Sequence, residues 1–382
     1  MNIAITGTKG KTTIMYLIKH VLRALNKNVI GVSSTEGVFY NEEFLYEPKM
    51  SQYLIREFDR PYDYQVSEAT SKLLKYGKYK SDDIDIALFN GIEKHEHLET
   101  HHTFFNYLTA KKLLFDLISG QGKNAIVNQD DAYHTHILKD YKGIVSYVGV
   151  SNEATYQYMI SEQTPNSMKV KIIHFLGTEE LILPFSGKYN AQNATMAYVS
   201  LIKAGISTED IIRYFQTFPG VPGRFQKIEL HDGRLIIIDY AHSEESLQLV
   251  LNHIQEVYPE RPIITIFGCG GDRASQKRPQ MGKVATEESK FVYITRDNPR
   301  SEQQSLIFND IVRGIKKSNF SIIKNRYEAV KAALRFKTDP STIILLAGKG
   351  SELKNIEDGR EFIMSDEQRV KQACKDLNIY IK

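Results

Sequence analysis

The sequence predicts an α/β protein built largely on parallel sheet, and three observations carry that expectation. An apolar strand signal, Ile3-Ala4-Ile5, runs straight into a glycine loop and from there into a helical pattern. Short apolar runs that end in polar or glycine residues recur along the chain, separated by segments long enough for helices. A second series of the same kind follows Pro219-Gly220-Val221-Pro222-Gly223.

Taken in order, the first strand covers Asn2 to Thr6 and leaves no room for a signal peptide ahead of it. Ile14, Leu17, Ile18, Val21, Leu22 and Leu25 then recur at the spacing of a helix with one buried face. Val29 to Val32, Ile84 to Phe89 and Ala125 to Val127 read as further strands. Between Tyr141 and Leu183 the pattern turns β-rich, including Lys169 to Phe175 and Leu181 to Leu183, and predicts an antiparallel edge to the first domain. The second series reads as strand Leu235 to Ile238, helix Leu247 to Val257, and strands Ile263 to Phe267, Phe291 to Ile294 and Ile343 to Leu346. A boundary near Pro222 gives domains 1–222 and 223–382. There is no internal repeat and no low-complexity tract.

Composition narrows the function classes. The 382 residues suffice for two or three domains with cores of their own. A formal charge of 49 − 46 = +3 argues against a nucleic-acid partner, which would call for a more basic chain. No apolar run approaches the roughly 18 residues that span a bilayer, so no membrane association is expected. Two cysteines, Cys269 and Cys374, are too few for a disulfide framework and fit a reduced, cytoplasmic setting.

The loop Gly7-Thr8-Lys9-Gly10-Lys11-Thr12-Thr13 carries the first chemistry. Glycines between a strand and a helix let backbone N–H groups approach phosphate oxygens, and the helix N-terminus favours negative charge. Gly7, Thr8, Gly10, Lys11, Thr12 and Thr13 are therefore candidate nucleotide contacts. Lys11 would reach the terminal phosphates and Thr12 would offer its hydroxyl to Mg²⁺. The spacing is more compact than the standard phosphate loop, since Ile5 stands where an earlier glycine is usual. An ordinary strand-to-helix turn is the alternative.

Together with further motifs the loop resembles that of the Mur ligases, ATP-dependent enzymes that join a carboxylate to an amine, and particularly their diamino-acid-adding branch. Gly220-Val221-Pro222-Gly223-Arg224, Asp239-Tyr240-Ala241-His242, Phe267-Gly268-Cys269-Gly270-Gly271-Asp272-Arg273 with Lys277-Arg278-Pro279, Asp297-Asn298-Pro299-Arg300 and Ala347-Gly348-Lys349-Gly350 follow in the family's order. The resemblance implies a P-loop ATPase-like central domain with mainly parallel sheet, followed by a Rossmann-like α/β C-terminal domain.

The resemblance also implies roles. Glu68, in Val66 to Leu74, falls where a strand-end glutamate holds Mg²⁺, and His97 where a histidine serves a second metal; because Mg²⁺ prefers oxygen, Mn²⁺ is an alternative ion there. Lys111, in Thr109 to Phe115, matches the lysine that reacts with CO₂ to give a carbamate; the alternative is a solvent-facing lysine, which suits Lys112. Asn193, and with less weight Asn190, fall near the adenine position, although Asn190 could instead cap a helix starting at Ala191. Arg224 would touch the ATP phosphates, Asp239 the ribose, and His242 would lie near the acyl-phosphate.

On the second domain, Arg300, with Asp297 and Asn298 in the same motif, matches the arginine that grips the distal carboxylate of meso-diaminopimelate. Gly348 and Glu352 match positions that read its far end. Ser351 departs from the pattern, where a histidine is usual. The partners implied are thus an amino-acid amine and a carboxylate acceptor, joined through an acyl-phosphate with release of ADP. The phosphate loop begins at residue 6, ahead of which the cell-wall members carry a uridine-nucleotide-binding domain, and Glu47-Pro48-Lys49-Met50-Ser51 replaces their Thr-Thr-Pro stretch. An acceptor other than the uridine-linked muramyl dipeptide is the expectation. A polyamide synthetase of the poly-glutamate or cyanophycin type and a non-catalytic nucleotide-binding partner protein are the alternatives.

Overall fold

A computed structural model of the chain describes residues 1–46, 60–94, 96–336, 339–357 and 360–382. The chain divides into two compact units, Met1–Pro219 and Gly220–Lys382.

The first unit is built on one sheet of eleven strands: β1 (Asn2–Thr6), β2 (Val29–Ser33), β3 (Gly37–Tyr40), β4 (Glu43–Tyr46), β5 (Tyr64–Glu68), β6 (Ile86–Phe89), β7 (Asn124–Asn128), β8 (Ile144–Gly149), β9 (Tyr156–Thr164), β10 (Ser167–His174) and β11 (Gly177–Leu183). Their order is β11-β10-β9-β8-β7-β6-β1-β5-β2-β3-β4. The block from β2 through β9 is parallel. Antiparallel pairs finish both edges, β9–β10–β11 on one side and β2–β3–β4 on the other. Because β1 lies between β5 and β6, crossovers leave it in both directions, and a crevice opens beyond its C-terminal end where the phosphate loop emerges.

One face of this sheet is sealed by the helix Phe104–Ile118. Leu108, Leu114, Phe115 and Ile118 pack with Ala4, Ala87, Phe89, Ala125 and Val127 from β1, β6 and β7. Each such leucine, isoleucine or phenylalanine contributes roughly 1.5–3 kcal/mol by leaving water. The helices Lys11–Ala24 and Lys188–Lys203 pack against each other.

The edge differs in part from the sequence expectation. The strand Ile144–Gly149 continues the parallel block, and the antiparallel part starts only with β9. The helix bearing Asn190 begins at Lys188, with Gly187 as its N-cap. Asn190 is therefore not the cap; its amide donates to the Ser186 carbonyl at 2.8 Å inside the first turn.

The second unit holds β12 (Gln226–Glu229), β13 (Leu235–Asp239), β14 (Ile263–Phe267), β15 (Phe291–Ile294), β16 (Phe320–Ile322) and β17 (Ile343–Ala347), in the order β12-β13-β17-β14-β15-β16. All pairs but β12–β13 are parallel. Alternate residues feed two cores. Ile237, Phe267 and Leu345 pack with Leu247, Leu251 and Met281 on one face, while Ile236, Ile264, Ile266 and Leu346 pack with Ala329, Val330 and Val370 on the other. Burial on both faces is why β13, β14 and β17 read as nearly continuous apolar runs. The helix Glu244–Val257 starts three residues earlier than its apolar pattern, at a Ser243–Ser246 capping box. A hairpin of β18 (Lys354–Glu357) and β19 (Arg360–Ile363) follows the sheet. Both cysteines are buried free thiols, and no helix among the described residues is long and apolar enough to cross a membrane.

Candidate functional site

In the first unit the candidates gather at the C-terminal ends of β1, β5 and β6. Gly10 takes a left-handed conformation (φ 80°) at the N-cap of the helix Lys11–Ala24. A Cβ there would lie 2.1 Å from Asn90 Nδ2 and 2.2 Å from Asn193 Oδ1, so both backbone and space call for glycine. The first-turn N–H groups, those of Lys11, Thr12 and Thr13, project from the helix end toward any anion held by the loop. The Lys11 ammonium donates to the carbonyls of Gly7 (3.0 Å) and Thr8 (3.1 Å), which keeps the charge in the loop's concavity.

Thr12 and Glu68 are brought together: the Thr12 hydroxyl donates to Glu68 Oε1 at 2.7 Å. Ser33 Oγ donates to the same oxygen at 3.2 Å, and Ser34 donates to Oε2 through its hydroxyl at 2.5 Å and its N–H at 3.2 Å. The Glu68 carboxylate, 2% exposed, is thus oriented from three sides. This is a hard, oxygen-only donor set. Among the described residues no group of three or more His, Cys, Asp or Glu side chains converges. The residues present fit an ion such as Mg²⁺, which takes one or two protein oxygens and completes its shell with phosphate and water. His97 is not part of that pair. It is exposed, in a left-handed conformation (φ 59°), with its ring 5.3 Å from that of Tyr107.

Tyr107 links the remaining parts. Its hydroxyl shares a hydrogen bond with Thr8 Oγ1 at 2.9 Å, and its ring lies 4.7 Å from the Lys111 ammonium nitrogen. Lys111 is 1% exposed and donates to the Gly7 carbonyl at 2.7 Å. Burial pushes its amine well below the ordinary lysine range, the nearby Lys11 charge pushes the same way, and Asp131 opposes both. Lys112, one residue on, pairs with Asp116 on the outer side of the helix. Asn193, 4% exposed, accepts from Asn90 Nδ2 at 2.9 Å while the same amide donates to the Lys9 carbonyl at 3.0 Å. Its placement is that of a support beneath the loop.

Sequence reasoning missed Asn90, Tyr107, Ser33 and Ser34. The first had a signal, an apolar strand ending in a polar residue and Gly91, as β1 ends at its own glycine. Tyr107 sits one helical turn before Lys111 and so shares its face.

In the second unit the candidates also stand at strand ends: Asp239 closes β13, Gly348 follows β17, and Asp297 to Arg300 follow β15. The Asp239 carboxylate accepts from the N–H groups of Phe225 and Ala241, both at 2.8 Å. The His242 ring bonds through Nδ1 with the Tyr240 carbonyl at 2.9 Å. Arg224 lies over the Tyr240 ring, 4.1 Å from its centroid, and the Tyr240 hydroxyl donates to Glu352 Oε1 at 2.9 Å. Asn298 fixes the hairpin that follows, donating to the Lys354 carbonyl (3.1 Å) and accepting from the Ile356 N–H (2.9 Å).

Arg300 is exposed and left-handed (φ 51°), and its Nη1 donates to the Gly271 carbonyl at 2.7 Å. Its loop is locked to the one after β14. Arg278, 1% exposed, donates to both oxygens of Glu302 (2.8 and 2.7 Å) and to Asp310 (3.0 Å). Glu302 also accepts from the Asp272 N–H, and Asp272 from the Ser301 hydroxyl at 2.6 Å. A Cβ on Gly271 would lie 1.8 Å from the Pro299 carbonyl oxygen, so the two loops touch backbone to backbone.

A glycine loop opening a helix, with an oxygen-donor pair beside it at the switch point of a parallel sheet, defines a phosphate-binding protein of the P-loop class. Residues 5–201 match the Mur ligase middle domain and residues 223–350 the Mur ligase glutamate ligase domain. The chain belongs to the Mur ligase family and is an ATP-dependent, amide-bond-forming ligase. It is 31% identical over 375 residues to the UDP-N-acetylmuramoyl-L-alanyl-D-glutamate–2,6-diaminopimelate ligase of Prochlorococcus marinus, covering 92% of this chain and 72% of that one. It is 32% identical over 387 residues to ligase 1 of the same name from Clostridium acetobutylicum, covering 98% and 78%. A solved structure of a ligase of that name superposes with a TM-score of 0.66 at 27% identity over 99% of this chain and 78% of the other. The MurF ligase of Thermotoga maritima in complex with ADP shares the fold alone, with a TM-score of 0.72 at 14% identity over 98% and 79% of the two chains.

Proposed function

We propose that this ligase activates a carboxylate as an acyl-phosphate and joins it to the amine of a bifunctional amino acid. The observation that carries the reading is the buried Lys111 amine on the Gly7 carbonyl, beside a phosphate loop that also holds Thr12 against Glu68. In the first step a carboxylate oxygen attacks the γ-phosphorus of ATP and ADP leaves. Lys11 and the helix N-terminus offset charge on the phosphates. Thr12 and Glu68 would hold Mg²⁺, or Mn²⁺ in its place, which when bound neutralises phosphate charge. In the second step a neutral amine attacks the acyl carbon, phosphate departs, and an amide forms with loss of one proton. An α-amine, with a pKa of about 8, is the easier nucleophile.

The neutral form of the Lys111 amine, favoured by its lowered proton affinity, is the form that reacts with CO₂, giving a carbamate and a proton. Carbamylation would place an anion beside the loop where an ordinary lysine would place a cation. Arg224, Asp239, His242 and Asn193 are read as nucleotide-side contacts or their supports, and His97, left-handed beside Tyr107, as a candidate for a second metal. On the amine side, Asp297, Asn298, Arg300, Gly348 and Glu352 line neighbouring strand ends, which supports an amino acid with a second charged end. The relatives named above add 2,6-diaminopimelate.

Segment Glu47 to Ser51, one of the two grounds for expecting a different acceptor, lies outside the described residues. The acceptor therefore enters as the variable of the experiment. Phosphate release from ATP would be followed across a crossed panel of amines, including 2,6-diaminopimelate and lysine, and of carboxylates, including free peptides and the uridine-linked muramyl dipeptide, with mass detection of products. Release that requires both partners, with a product lighter than their sum by one water, supports the reading. Turnover of the uridine-linked dipeptide in preference to free peptides would remove the idea of another acceptor, and repeated addition to one product would convert it to a polyamide synthetase.

Within this reading Arg300→Ala is expected to raise the KM for the amine by about 10- to 100-fold, the range of one charged hydrogen-bonded contact, with the KM for ATP changed less than about twofold. Equal losses for both substrates would remove Arg300 from the amine site.

A further inference from the structure

Lys349, inside the Gly348 to Glu352 segment, has been given no role so far, and it is 1% exposed. Its ammonium lies 3.4 Å from Asp297 Oδ1 and 3.6 Å from Glu352 Oε2, and donates to the Lys354 carbonyl at 3.3 Å. Lysine is rarely enclosed unless paired, and here it joins two carboxylates from different strand ends. We propose that Lys349 is a positioning residue for amine recognition: its ammonium holds the Asp297 and Glu352 carboxylates together and favours their charged forms, so that the pair can face the ammonium of an incoming amino acid. The proposal rests on the amine-site reading above.

The neighbours of Glu352 show what Lys349 works against. Burial raises its carboxyl and the Asp297 charge raises it further; Lys349, the Tyr240 hydroxyl and Arg300 pull the other way but leave it above the ordinary glutamate value. Arg326, on the helix behind the loop, also feels Asp297 and Glu352. Without Lys349 the two close carboxylates lose a cation between them, and proton uptake by Glu352 is favoured further.

The test follows the side-chain carboxyl resonance of Glu352 in ¹³C-glutamate-labelled protein, assigned with Glu352→Gln, through a pH titration. Lys349→Met, and the milder Lys349→Gln should the first not fold, are expected to raise the midpoint by about one pH unit or more. Lys349→Arg, which keeps the charge, is expected to hold it near wild type. A midpoint unmoved in the neutral variants overturns the proposal, because a merely structural lysine would leave it there. Titrating 2,6-diaminopimelate and L-lysine into the wild type separates the two layers. If the midpoint moves as expected but neither amine perturbs Glu352, the amine reading falls while the charge-holding role stands. If the amines perturb Glu352 and the variants leave its midpoint alone, the reverse holds.

Discussion

Lys111→Ala is expected to lower turnover by about 100-fold or more, the loss seen when one preorganised charge is taken from a site where charge develops, while Lys112→Ala stays near wild type. The contrast follows from the faces of one helix. Lys111 is enclosed against Gly7 and Tyr107. Lys112 makes an i,i+4 pair with Asp116, worth about 0.3–0.5 kcal/mol of stability. Carbamylation sets a second readout. ¹³C-bicarbonate should give a carbamate carbon signal in wild type and none in Lys111→Ala. Because burial and Lys11 hold the amine below the ordinary lysine value, its neutral form is more accessible than that of an ordinary lysine, and the signal should strengthen as pH rises through that lowered value. Turnover retained in Lys111→Ala and lost in Lys112→Ala would exchange the two assignments.

The second large effect is on stability. Asp366 is fully enclosed and accepts from Arg326 Nε (2.8 Å) and Nη2 (2.6 Å) and from Arg369 Nη1 (3.2 Å). Arg326 also donates to the Ala347 carbonyl at 3.0 Å, and Arg369 to Asn355 Oδ1 at 2.6 Å, so the cluster anchors both the end of β17 and the hairpin after it. Asp366→Ala would leave two buried cations without their shared anion. That is expected to cost about 3–5 kcal/mol, read from urea unfolding followed by a probe in the second unit. Glu361→Ala, which removes only the exposed pair with Lys354, should cost less than about 1 kcal/mol. Equal costs would show that the buried cluster adds nothing.

The pH dependence of that cluster has a definite sign. Burial alone would raise the Asp366 carboxyl, but the Arg326 charge and hydrogen bonds, with Arg369 and Lys349, outweigh burial and hold it below the ordinary aspartate value. Its contribution is complete above the unfolded value of about 3.9 and fades as pH falls through the lower folded value. Wild type should therefore lose stability in that acid range, and Asp366→Ala should lack this limb.

Some of this architecture was legible before any coordinates. The phosphate loop announces itself because strand, glycine and helix signals abut, and the central strands β13, β14 and β17 of the second unit do so because burial on both faces leaves them almost wholly apolar. The hairpin β3–β4 is not legible in the sequence since Glu43–Tyr46 is largely exposed and its run Phe44-Leu45-Tyr46 is only three residues long. Ile144–Gly149 falls in the β-rich stretch that reads as an antiparallel edge, while the direction of its pairing is decided by β7, which the local pattern does not contain. The supports of the site were illegible for the same reason. Asn90 meets Gly10 only because β6 pairs with β1 in register, and Arg326 meets Asp366 across forty residues of intervening chain.

The backbone contact between Gly271 and Pro299 bears on how amine preference could change, whether by descent or by design. With the Pro299 oxygen 1.8 Å from any Cβ at position 271, and Glu302 and Asp272 each bound to the opposite segment, neither loop has a shape of its own to vary. Transplanting Asp297 to Glu302 from a homologue of different preference, without its Gly270 to Asp272 counterpart, would import a segment cut to fit another neighbour. If the proposed amine site holds, the heritable unit of specificity in this half of the protein is a pair of loops twenty-odd residues apart in the chain, and a chimaera would have to exchange both at once.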